Sequence, residues 1–497
     1  MHMRDKIDHV VMLMLENRSL DNVLGWLYAA DKPTRIVGTD QTDVYYGLQS
    51  GPYSNKYGDR TIYTTRGTTG RTGHKGVPAQ PLRVPGFDPG EEYEHVNQQL
   101  FGTASKPTSK NPAYGTPAGM LGFAYDYDAS YESWEQLDQI MECYSPAQLP
   151  ILNGLARAYG VSDAWYSSVP TQTNPNRAFS LCGTSLGRVN NTYDAVEQFQ
   201  TQTIWNALPK DTSWGVYYQD IWNSKQCYTQ YTFPWITKAL APGEIEPLSH
   251  FYDRAIGGKL PNFSYLEPKW GYGKGYRDGS GFYCGKILGK IVGSQGNDYH
   301  PPTWMGPGEA FVASVYNALT FNRAAWAKTL LIITFDEHGG TYDHVDPGWG
   351  AIQPDEHKGP DGFAFNRYGV RVPTLLISPW VPAGTVFRSG AANPNQMKYD
   401  HTSTLATLLN WRGVTPSSAG LGKRVAAAPT FEAALADCPR GDVPTVTLPP
   451  GYADQGKSCW ITSDADALPA GVARSLIAQS KTMEELEARV KAWLDQQ

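Results

Sequence analysis

The sequence predicts an α/β fold with a mostly parallel central sheet. Three short apolar runs indicate its strands: residues 7–15 (IDHVVMLML), 330–335 (LLIITF) and 372–378 (VPTLLIS). None of them alternates apolar with polar residues, which is typical of parallel strands that are covered on both faces. Helical patterns lie between these runs, and this alternation of strand and helix favours an α/β arrangement.

Two segments predict helices of the core, and a third predicts a helix on the surface. Residues 308–319 place apolar side chains on one face, and residues 401–413 begin with capping residues and end in glycine. Near the C-terminus, residues 482–494 open with a capping box of Thr482 and Glu485 and carry an apolar stripe. We expect this last helix to dock on the chain by its apolar face.

We expect one catalytic domain over residues 1–420, followed by a C-terminal extension over residues 421–497. Long loop insertions are expected near residues 30–120 and 220–300, where Gly, Thr, Tyr, Pro and Asn crowd with little periodicity. In α/β folds, ligands bind on loops beyond the carboxyl ends of the strands. We therefore expect the functional residues at strand ends.

Composition and charge argue against several classes of protein. The 497 residues are 41% hydrophobic and carry a formal net charge of −6 without a basic patch, which argues against a nucleic-acid partner. No apolar run reaches the length of a membrane span, and the stretch over residues 10–15 is too short for a secretory signal. The six cysteines form no CxxC pair, so we expect no zinc–thiolate site; buried thiols are expected, and disulfides are the alternative.

Acidic residues follow two of the predicted strands directly. Glu16 and Asn17 come after the first strand, and Asp336 and Glu337 come after the strand at 330–335. If both strands belong to one parallel sheet, these side chains meet at one edge. Three carboxylates so close repel each other unless a pKa rises or a cation lies between them. Oxygen donors favour Ca²⁺, Mg²⁺ or Mn²⁺, and the alternative is a set of surface acids at strand ends.

The segment at 167–185 (SSVPTQTNPNRAFSLCGTS) predicts the start of a helix, with Thr173 as its N-cap. The N-terminus of a helix offers N–H groups to an anion. A threonine there can act as a nucleophile if a metal ion lowers its pKa. The alternative is a threonine that only caps the helix.

Together these segments resemble a phosphoesterase family that holds bacterial phosphatidylcholine-type phospholipases C, plant non-specific phospholipases C and certain acid phosphatases. The resemblance spans residues 8 to about 411. Seven segments carry it in the family's order: ENRSLDNVLGWL, YSPAQLPILNGLARAYGVSDAWYSSVPTQTNPNRAFSLCGTS, GKLPNFSYLEP, DYHPPTWMGPGEAFVASVYNAL, TFDEHGGTYDHV, GVRVPTLLISPWV and YDHTSTLATLL. It implies an alkaline-phosphatase-like α/β/α sandwich. The sequence departs from the pattern at Leu20 and Asn22, where an aromatic residue and His are frequent, and at Glu94 before His95, where Asp is usual.

The resemblance also implies roles for particular residues. Glu16, Asn17, Asp336 and Glu337 match the residues that bind one divalent metal ion, for which Zn²⁺ is an alternative to the harder ions. Thr173 matches the hydroxyl nucleophile and, through its Oγ, a further metal ligand.

Two histidines match the family less directly. His300, in the HPP motif, matches a histidine that contacts the phosphate or the leaving group, and His250 is a looser match to a second one. The mechanism implied is attack by a metal-bound alkoxide of Thr173, a phosphothreonine intermediate, protonation of the alcohol by His300, and hydrolysis by water.

The glycine pair after Asp336 and Glu337 allows the chain to turn back over the strand end. We expect His338, Asp343 and His344, which flank this turn, to orient the metal ligands. A second metal ion bound by Asp343 and His344 is the alternative.

The resemblance implies a phospholipid or small phosphate-ester substrate. We expect phospholipase C activity on phosphatidylcholine-like phospholipids, with peripheral contact with a membrane, and the alternative is an acid phosphatase that cleaves monoesters. Aromatic residues of the insertions, such as Trp222, Tyr228, Trp270 and Tyr272, would have to gather in a cage to bind choline. Relatives are commonly exported, although no leader is visible in this sequence. Thr173 does not fit the cysteine or serine that sulfatases convert to an aldehyde.

Overall fold

The structure is a computed structural model. It describes residues 2–38, 43–69, 81–86, 88–102, 110–131, 134–191, 198–222, 225–270, 296–389 and 397–452. The helix expected at residues 482–494 lies outside the described residues, as do Cys284, Cys459 and Tyr272.

The strands of the described residues are numbered here in chain order. They are β1 (His9–Leu15), β2 (Arg35–Val37), β3 (Ser54–Tyr57), β4 (Arg60–Tyr63), β5 (Thr65–Arg66), β6 (Glu142–Cys143), β7 (Gly160–Ser162), β8 (Trp165–Tyr166), β9 (Trp214–Tyr218), β10 (Gly243–Pro247), β11 (Phe263–Leu266), β12 (Thr329–Phe335), β13 (Thr374–Ile377), β14 (Thr385–Phe387) and β15 (Tyr399–Asp400).

The α-helices of the described residues are numbered in the same way. They are α1 (Met3–Lys6), α2 (Leu20–Leu24), α3 (Tyr93–Phe101), α4 (Phe123–Tyr131), α5 (Pro150–Ala158), α6 (Thr173–Cys182), α7 (Ile204–Ala207), α8 (Tyr228–Thr232), α9 (Leu248–Ile256), α10 (Met305–Phe321), α11 (Arg323–Trp326), α12 (His401–Trp411) and α13 (Gly422–Ala427). Short 3-10 helices cover Leu48–Ser50, Trp134–Met141, Pro234–Lys238, Pro360–Gly362, Pro416–Ser418 and Glu432–Ala434.

Nine strands form the central sheet in the order β10-β9-β11-β1-β12-β13-β7-β14-β2. β12 is the central strand, and β1 beside it pairs in parallel with both β11 and β12. Every residue of β12 is buried, as is every residue of β1 after His9. Because successive side chains of a strand point to opposite faces, both faces of the sheet are covered. The predicted α/β fold with a mostly parallel central sheet is therefore confirmed.

Two groups of helices accompany the sheet. In one, α10 contacts both α5 and α9, and in the other, α12 contacts both α6 and α13. Together with the burial of both sheet faces, this gives the three-layer α/β/α arrangement. No helix of the described residues is long and apolar enough to span a lipid bilayer.

The direction of β13 differs from the prediction, because we expected the apolar run at residues 372–378 to form a parallel strand. It pairs antiparallel with β12 on one side and with β7 on the other. A parallel neighbour needs a crossover that returns the chain to the opposite edge of the sheet. Residues 336–373 form a loop at the carboxyl end of β12 and contain only one 3-10 turn, so the chain re-enters the sheet from that same edge.

The first described part of the C-terminal extension packs into the same core as the sheet. Val425 and Phe431 are fully buried there. The guanidinium of Arg424 pairs with the carboxylate of Asp400, 2.6 Å away, and Asp400 is the N-cap of α12. Residues 421–452 are therefore structurally continuous with the catalytic domain that we expected to end at residue 420.

Candidate active site

The structure brings the four strand-end residues together, as predicted. β1 and β12 are neighbours whose last residues, Leu15 and Phe335, are paired in register, so Glu16 and Asp336 leave the sheet side by side. The Asp336 Oδ1 atom accepts hydrogen bonds from the backbone N–H groups of Asn17 (3.1 Å) and Glu337 (2.7 Å). All four side chains are buried, so this is not a set of surface acids.

Close backbone packing holds this edge together. Asn17 has a φ of 54°, which asparagine tolerates better than most residues. Gly339 has a φ of 58°, and a Cβ atom there would lie 2.2 Å from the carbonyl oxygen of Asn17. At Gly340 a Cβ atom would lie 2.5 Å from the carbonyl oxygen of Gly90. The glycine pair therefore lets the loop after β12 pack against both segments.

The structure corrects the predicted capping role of Thr173. The N-cap of α6 is Gln172, and Thr173 is the first residue of the helix. The Thr173 hydroxyl does not cap the helix but donates to the Oε2 atom of Glu16, 3.3 Å away. The next N–H group, that of Asn174, donates to the side chain of Asn191. The helix terminus therefore offers fewer N–H groups to a phosphate than expected.

Arg177 completes this group, and sequence reasoning missed it. It lies one helical turn after Thr173 and therefore on the same face of α6. Its Nε atom is 3.0 Å from Oε1 of Glu16 and 3.1 Å from Oδ2 of Asp336. Burial alone lowers the pKa of Arg177, but these carboxylates raise it well above the usual range, so the guanidinium stays charged.

Glu91 and Asp88 are further site residues that sequence reasoning missed. The Glu91 carboxylate accepts a hydrogen bond from the Nδ2 atom of Asn17. Burial, followed by repulsion from Glu337, raises the pKa of Glu91 well above its usual value. His95, the residue that resembles a family histidine, instead pairs with Asp126 at 2.7 Å. The segment over residues 88–95 therefore places its carboxylates, and not His95, at the site.

His300 lies at the same edge of the sheet and is grouped with Asp88 and Glu91 closely enough for the three to hold a metal ion. Its Nδ1 atom is 2.5 Å from the carbonyl oxygen of Pro301, so Nδ1 carries the hydrogen and donates it. Burial lowers the pKa of His300 to about 4. At neutral pH the ring is therefore neutral, with its Nε2 atom as the proton acceptor.

The structure does not bring His250 to this group. The side chain lies in the first turn of α9, is about half exposed, and pairs with Glu246 at 3.3 Å. β10, which precedes α9, is three strands away from β1 in the sheet. Its catalytic role remains a prediction without a contact among the described residues that supports it.

The residues after the glycine turn form a separate ion-pair network. Arg371 lies 2.9 Å from the carboxylate of Asp21 and 3.0 Å from that of Asp343, and His344 contacts Asp21 at 2.6 Å. Asp21, Asp343 and His344 lie close enough to hold a metal ion. Arg371 supplies one positive charge to these two carboxylates, and a second metal ion at this network stays the alternative prediction.

His338 and His401 lie against the ligand segment. His338 is buried with its Nε2 atom 2.7 Å from the side-chain oxygen of Gln99, and its Nδ1 atom is 3.3 Å from Glu337. The Nε2 atom of His401 donates to the backbone carbonyl of Asp336 over 2.6 Å. Both contacts are of the orienting kind that we expected for His338.

Three aromatic residues of the insertions do gather beside the site. The rings of Trp222, Tyr228 and Trp270 lie with centroids 4.6–5.6 Å apart. The guanidinium carbon of Arg177 lies 4.7 Å from the Trp270 ring and 5.7 Å from the Tyr228 ring. This aromatic cluster therefore already contacts a cation of the protein itself.

The donor atoms fit a hard divalent cation. The Oδ1 atom of Asn17 and the Oε1 atom of Glu337 are buried without a hydrogen-bond partner. Unpaired buried acceptors are costly, and a cation would satisfy both. Burial, followed by the charge of Asp336, raises the pKa values of Glu16 and Glu337 well above normal, which is the response of carboxylates that lack sufficient positive charge.

The sequence matches the model of the phosphoesterase family over residues 7–415. It is 33% identical over 453 residues to a non-specific phospholipase C1 of Arabidopsis thaliana. That alignment covers 88% of this chain and 73% of the plant protein. It is 23% identical over 462 residues to a non-hemolytic phospholipase C of Pseudomonas aeruginosa. That alignment covers 82% of this chain and 54% of the bacterial protein.

Among solved structures, one similar chain is a protein of the alkaline phosphatase superfamily from Vibrio parahaemolyticus. It is 14% identical, with a TM-score of 0.31, over 57% of this chain and 64% of that one. At that TM-score the likeness adds nothing to the argument. The family match and the long alignments with the plant relatives are sufficient: this chain belongs to the phosphoesterase family and is an enzyme that hydrolyses phosphoric esters.

Proposed function

We propose that this enzyme is a metal-dependent phospholipase C in which Thr173 is the nucleophile. The observation that carries the proposal is the hydrogen bond from the Thr173 hydroxyl to Glu16, at the point where the carboxylates from β1 and β12 meet. A threonine needed only for the helix would cap it, and this one does not.

Glu16, Asn17, Asp336, Glu337 and the Oγ atom of Thr173 would hold one divalent ion. When bound, such an ion supplies the positive charge that lowers the pKa of a hydroxyl and balances an anionic phosphate. The oxygen donors favour Ca²⁺, Mg²⁺ or Mn²⁺ over softer ions.

The residues of the chain perform two displacements. In the first, Thr173 Oγ forms a bond to phosphorus while the bond from phosphorus to the diacylglycerol oxygen breaks; the Thr173 hydroxyl releases one proton and the departing alcohol takes up one. In the second, water attacks phosphorus and gives up one proton, and the bond to Oγ breaks as Oγ takes up one proton, which regenerates the hydroxyl. The neutral Nε2 atom of His300 suits the second step, because it can accept the proton of the attacking water. The sequence predicted that His300 protonates the leaving alcohol. With its pKa lowered to about 4, the ring is neutral at pH 7 and is better suited to accept a proton than to donate one.

The proposed substrate is a phospholipid, because the plant and bacterial relatives that match over most of this chain are named phospholipases C. The aromatic cluster gives no support for choline selectivity, since its rings contact Arg177. We therefore propose a phosphodiester substrate without a selected head group.

The first test replaces Thr173. Thr173→Ala should abolish turnover while the melting temperature stays near that of the wild type, and Thr173→Ser should keep measurable activity because it retains a hydroxyl. Thr171→Ala is the matched control, since its hydroxyl donates to the backbone of Val189 and not to the acids. Near-normal turnover by Thr173→Ala would remove this residue from the mechanism.

A second arm of this test separates the diesterase from the phosphatase. Phosphatidylcholine, sphingomyelin, p-nitrophenyl phosphate and p-nitrophenylphosphorylcholine are assayed with each divalent ion, and the acid-quenched enzyme is examined by peptide mass spectrometry. A phosphorylcholine group on Thr173 supports the phospholipase C. Turnover of the monoester alone, with a bare phosphoryl group on Thr173, would show an acid phosphatase instead.

A further inference from the structure

Arg177 occupies an unusual position for an arginine next to proposed metal ligands. It is fully buried, and its guanidinium bridges a carboxylate that follows β1 and one that follows β12. The same group donates to the backbone carbonyls of Met14 and Leu15 at the end of β1. Arg177 thus ties both strand ends to the helix that carries Thr173.

The surroundings of Arg177 keep it in this position. Its Nη1 atom is 3.1 Å from the hydroxyl of Tyr265 in β11, and the rings of Trp270 and Tyr228 lie beside the guanidinium. Tyr228 is itself hydrogen-bonded to Asn174 of α6. These contacts hold the guanidinium between the two carboxylates.

The two carboxylates that Arg177 bridges would repel each other without it. Glu16 and Asp336 lie on adjacent strands in a buried environment, where unbalanced charges are strongly unfavourable. A divalent ion could balance both charges, and Arg177 supplies one positive charge between them without that ion. Because Arg177 takes Oε1 of Glu16, the Oε2 atom of that residue is left to face Thr173.

We propose that Arg177 is a positioning residue that keeps the proposed metal ligands Glu16 and Asp336 assembled when no divalent ion is bound, so that the fold does not depend on the metal. This inference rests on the metal site of the proposed function. Without the guanidinium, the two carboxylates depend on a divalent ion for their balance, and the fold becomes metal-dependent.

The experiment compares Arg177→Met with the wild type. The melting temperature of each is measured after treatment with EDTA and then during titration with Mg²⁺, Ca²⁺ or Mn²⁺, because an ion that binds only the folded state stabilises it. We expect Arg177→Met to melt lower than the wild type without metal and to show the larger rise in melting temperature on addition of the ion. A rise equal to or smaller than that of the wild type would overturn the inference.

Arg424→Met is the matched control. Arg424 is also fully buried and also pairs with a buried carboxylate, that of Asp400, which is not one of the proposed metal ligands. Its replacement should lower the melting temperature without enlarging the rise that the ion produces. If Arg424→Met enlarges that rise as much as Arg177→Met does, the effect is general destabilisation and the inference is wrong.

Two further variants keep the test decisive if Arg177→Met folds poorly. Arg177→Lys restores a positive charge and should reduce the metal dependence towards that of the wild type. The double variant Arg177→Met with Glu16→Gln removes the unbalanced carboxylate and should recover stability in EDTA; lack of recovery by both variants would contradict the inference. If the wild type and all variants respond to no divalent ion, the proposed metal site fails instead, which is a separate outcome.

Discussion

Gly339 illustrates how individual residues shape this site by close approach of the backbone. It follows the proposed ligands Asp336 and Glu337, and its missing side chain leaves room for the carbonyl group of Asn17. Arg177 acts on the same ligands through charge, and its spacing from Thr173 was visible in the sequence as the i, i+4 pair of the TNPNR segment. What that spacing could not reveal was which acids the pair would face.

At this scale we expect Gly339→Ala to damage both stability and turnover. A Cβ atom would lie 2.2 Å from the Asn17 carbonyl oxygen, so the loop or Asn17 must move. Gly58→Ala is the matched control, because Gly58 has a similar φ of 56° but nothing within 4 Å of the added carbon. The control should lose only about 1–2 kcal/mol, the cost of the left-handed conformation.

Denaturant unfolding and turnover assays on both glycine variants measure the difference. Gly339→Ala should lose clearly more stability than Gly58→Ala and, unlike it, most of the activity. Equal losses of stability with full activity in both variants would show that the loop does not need this close packing.

Elements are held to one another by buried polar groups that no local pattern reveals. The first turn of α5 is capped from another helix: the carboxylate of Glu309 in α10 accepts hydrogen bonds from the N–H groups of Ile151 (2.6 Å) and Leu152 (3.1 Å). The hydroxyl of Tyr299 donates to the same carboxylate at 2.8 Å. Periodicity predicted α10 well, but its buried acid is explained only by the neighbouring helix.

Glu309 predicts a pH dependence of stability at the element scale. Burial raises its pKa to about 7 in the folded protein, against 4.5 for an exposed glutamate. The folded state therefore retains a proton between pH 4.5 and 7 that the unfolded state has lost, and stability falls as pH rises through this window. The full effect is about 3 kcal/mol, from 1.36 kcal/mol per pKa unit.

Glu309→Gln should remove this contribution, because glutamine does not titrate. As pH rises from 4.5 to above 7, the free energy of unfolding of the wild type should fall relative to that of the variant. Urea denaturation of both proteins across this range measures the difference. A constant difference at all pH values would show that Glu309 has an ordinary pKa in the folded state.

On the scale of the whole molecule, one hydrophobic core joins the sheet, its helices and the chain after residue 420. Leu421, Val425, Phe431, Leu435 and Val446 are buried in that core. Each large apolar side chain contributes about 1.5–3 kcal/mol when buried, so their sum is comparable with the 5–15 kcal/mol stability of a typical domain.

We therefore expect a chain that ends at residue 420 to be insoluble or to melt far below the full chain, because it exposes the surface that these residues cover. A chain that ends at residue 452 retains them and is the matched control; it should melt as a cooperative unit. Expression yield, melting temperature and turnover of both chains are the measurements. A stable, active chain of residues 1–420 would instead support the domain boundary expected from the sequence.

The sequence by itself determined the class of fold and most of the proposed metal ligands. Unbroken apolar runs mark strands buried on both faces, and polar residues directly after two such runs mark the functional edge of the sheet. This reasoning located Glu16, Asn17, Asp336 and Glu337, since their position depends only on where a strand ends.

Only the tertiary structure decided which distant groups complete the site. Glu91 reaches Asn17 from an insertion without periodicity, the Thr173 hydroxyl faces Glu16 in place of capping its helix, and β13 runs antiparallel. His300 is neutral because it is buried, which no motif states. The sequence pattern predicts individual strands and helices, because the periodicity of each depends only on residues close together in the chain. Burial, pairing of charges and strand direction depend on contacts between residues far apart in the chain, and these exist only once the chain has folded.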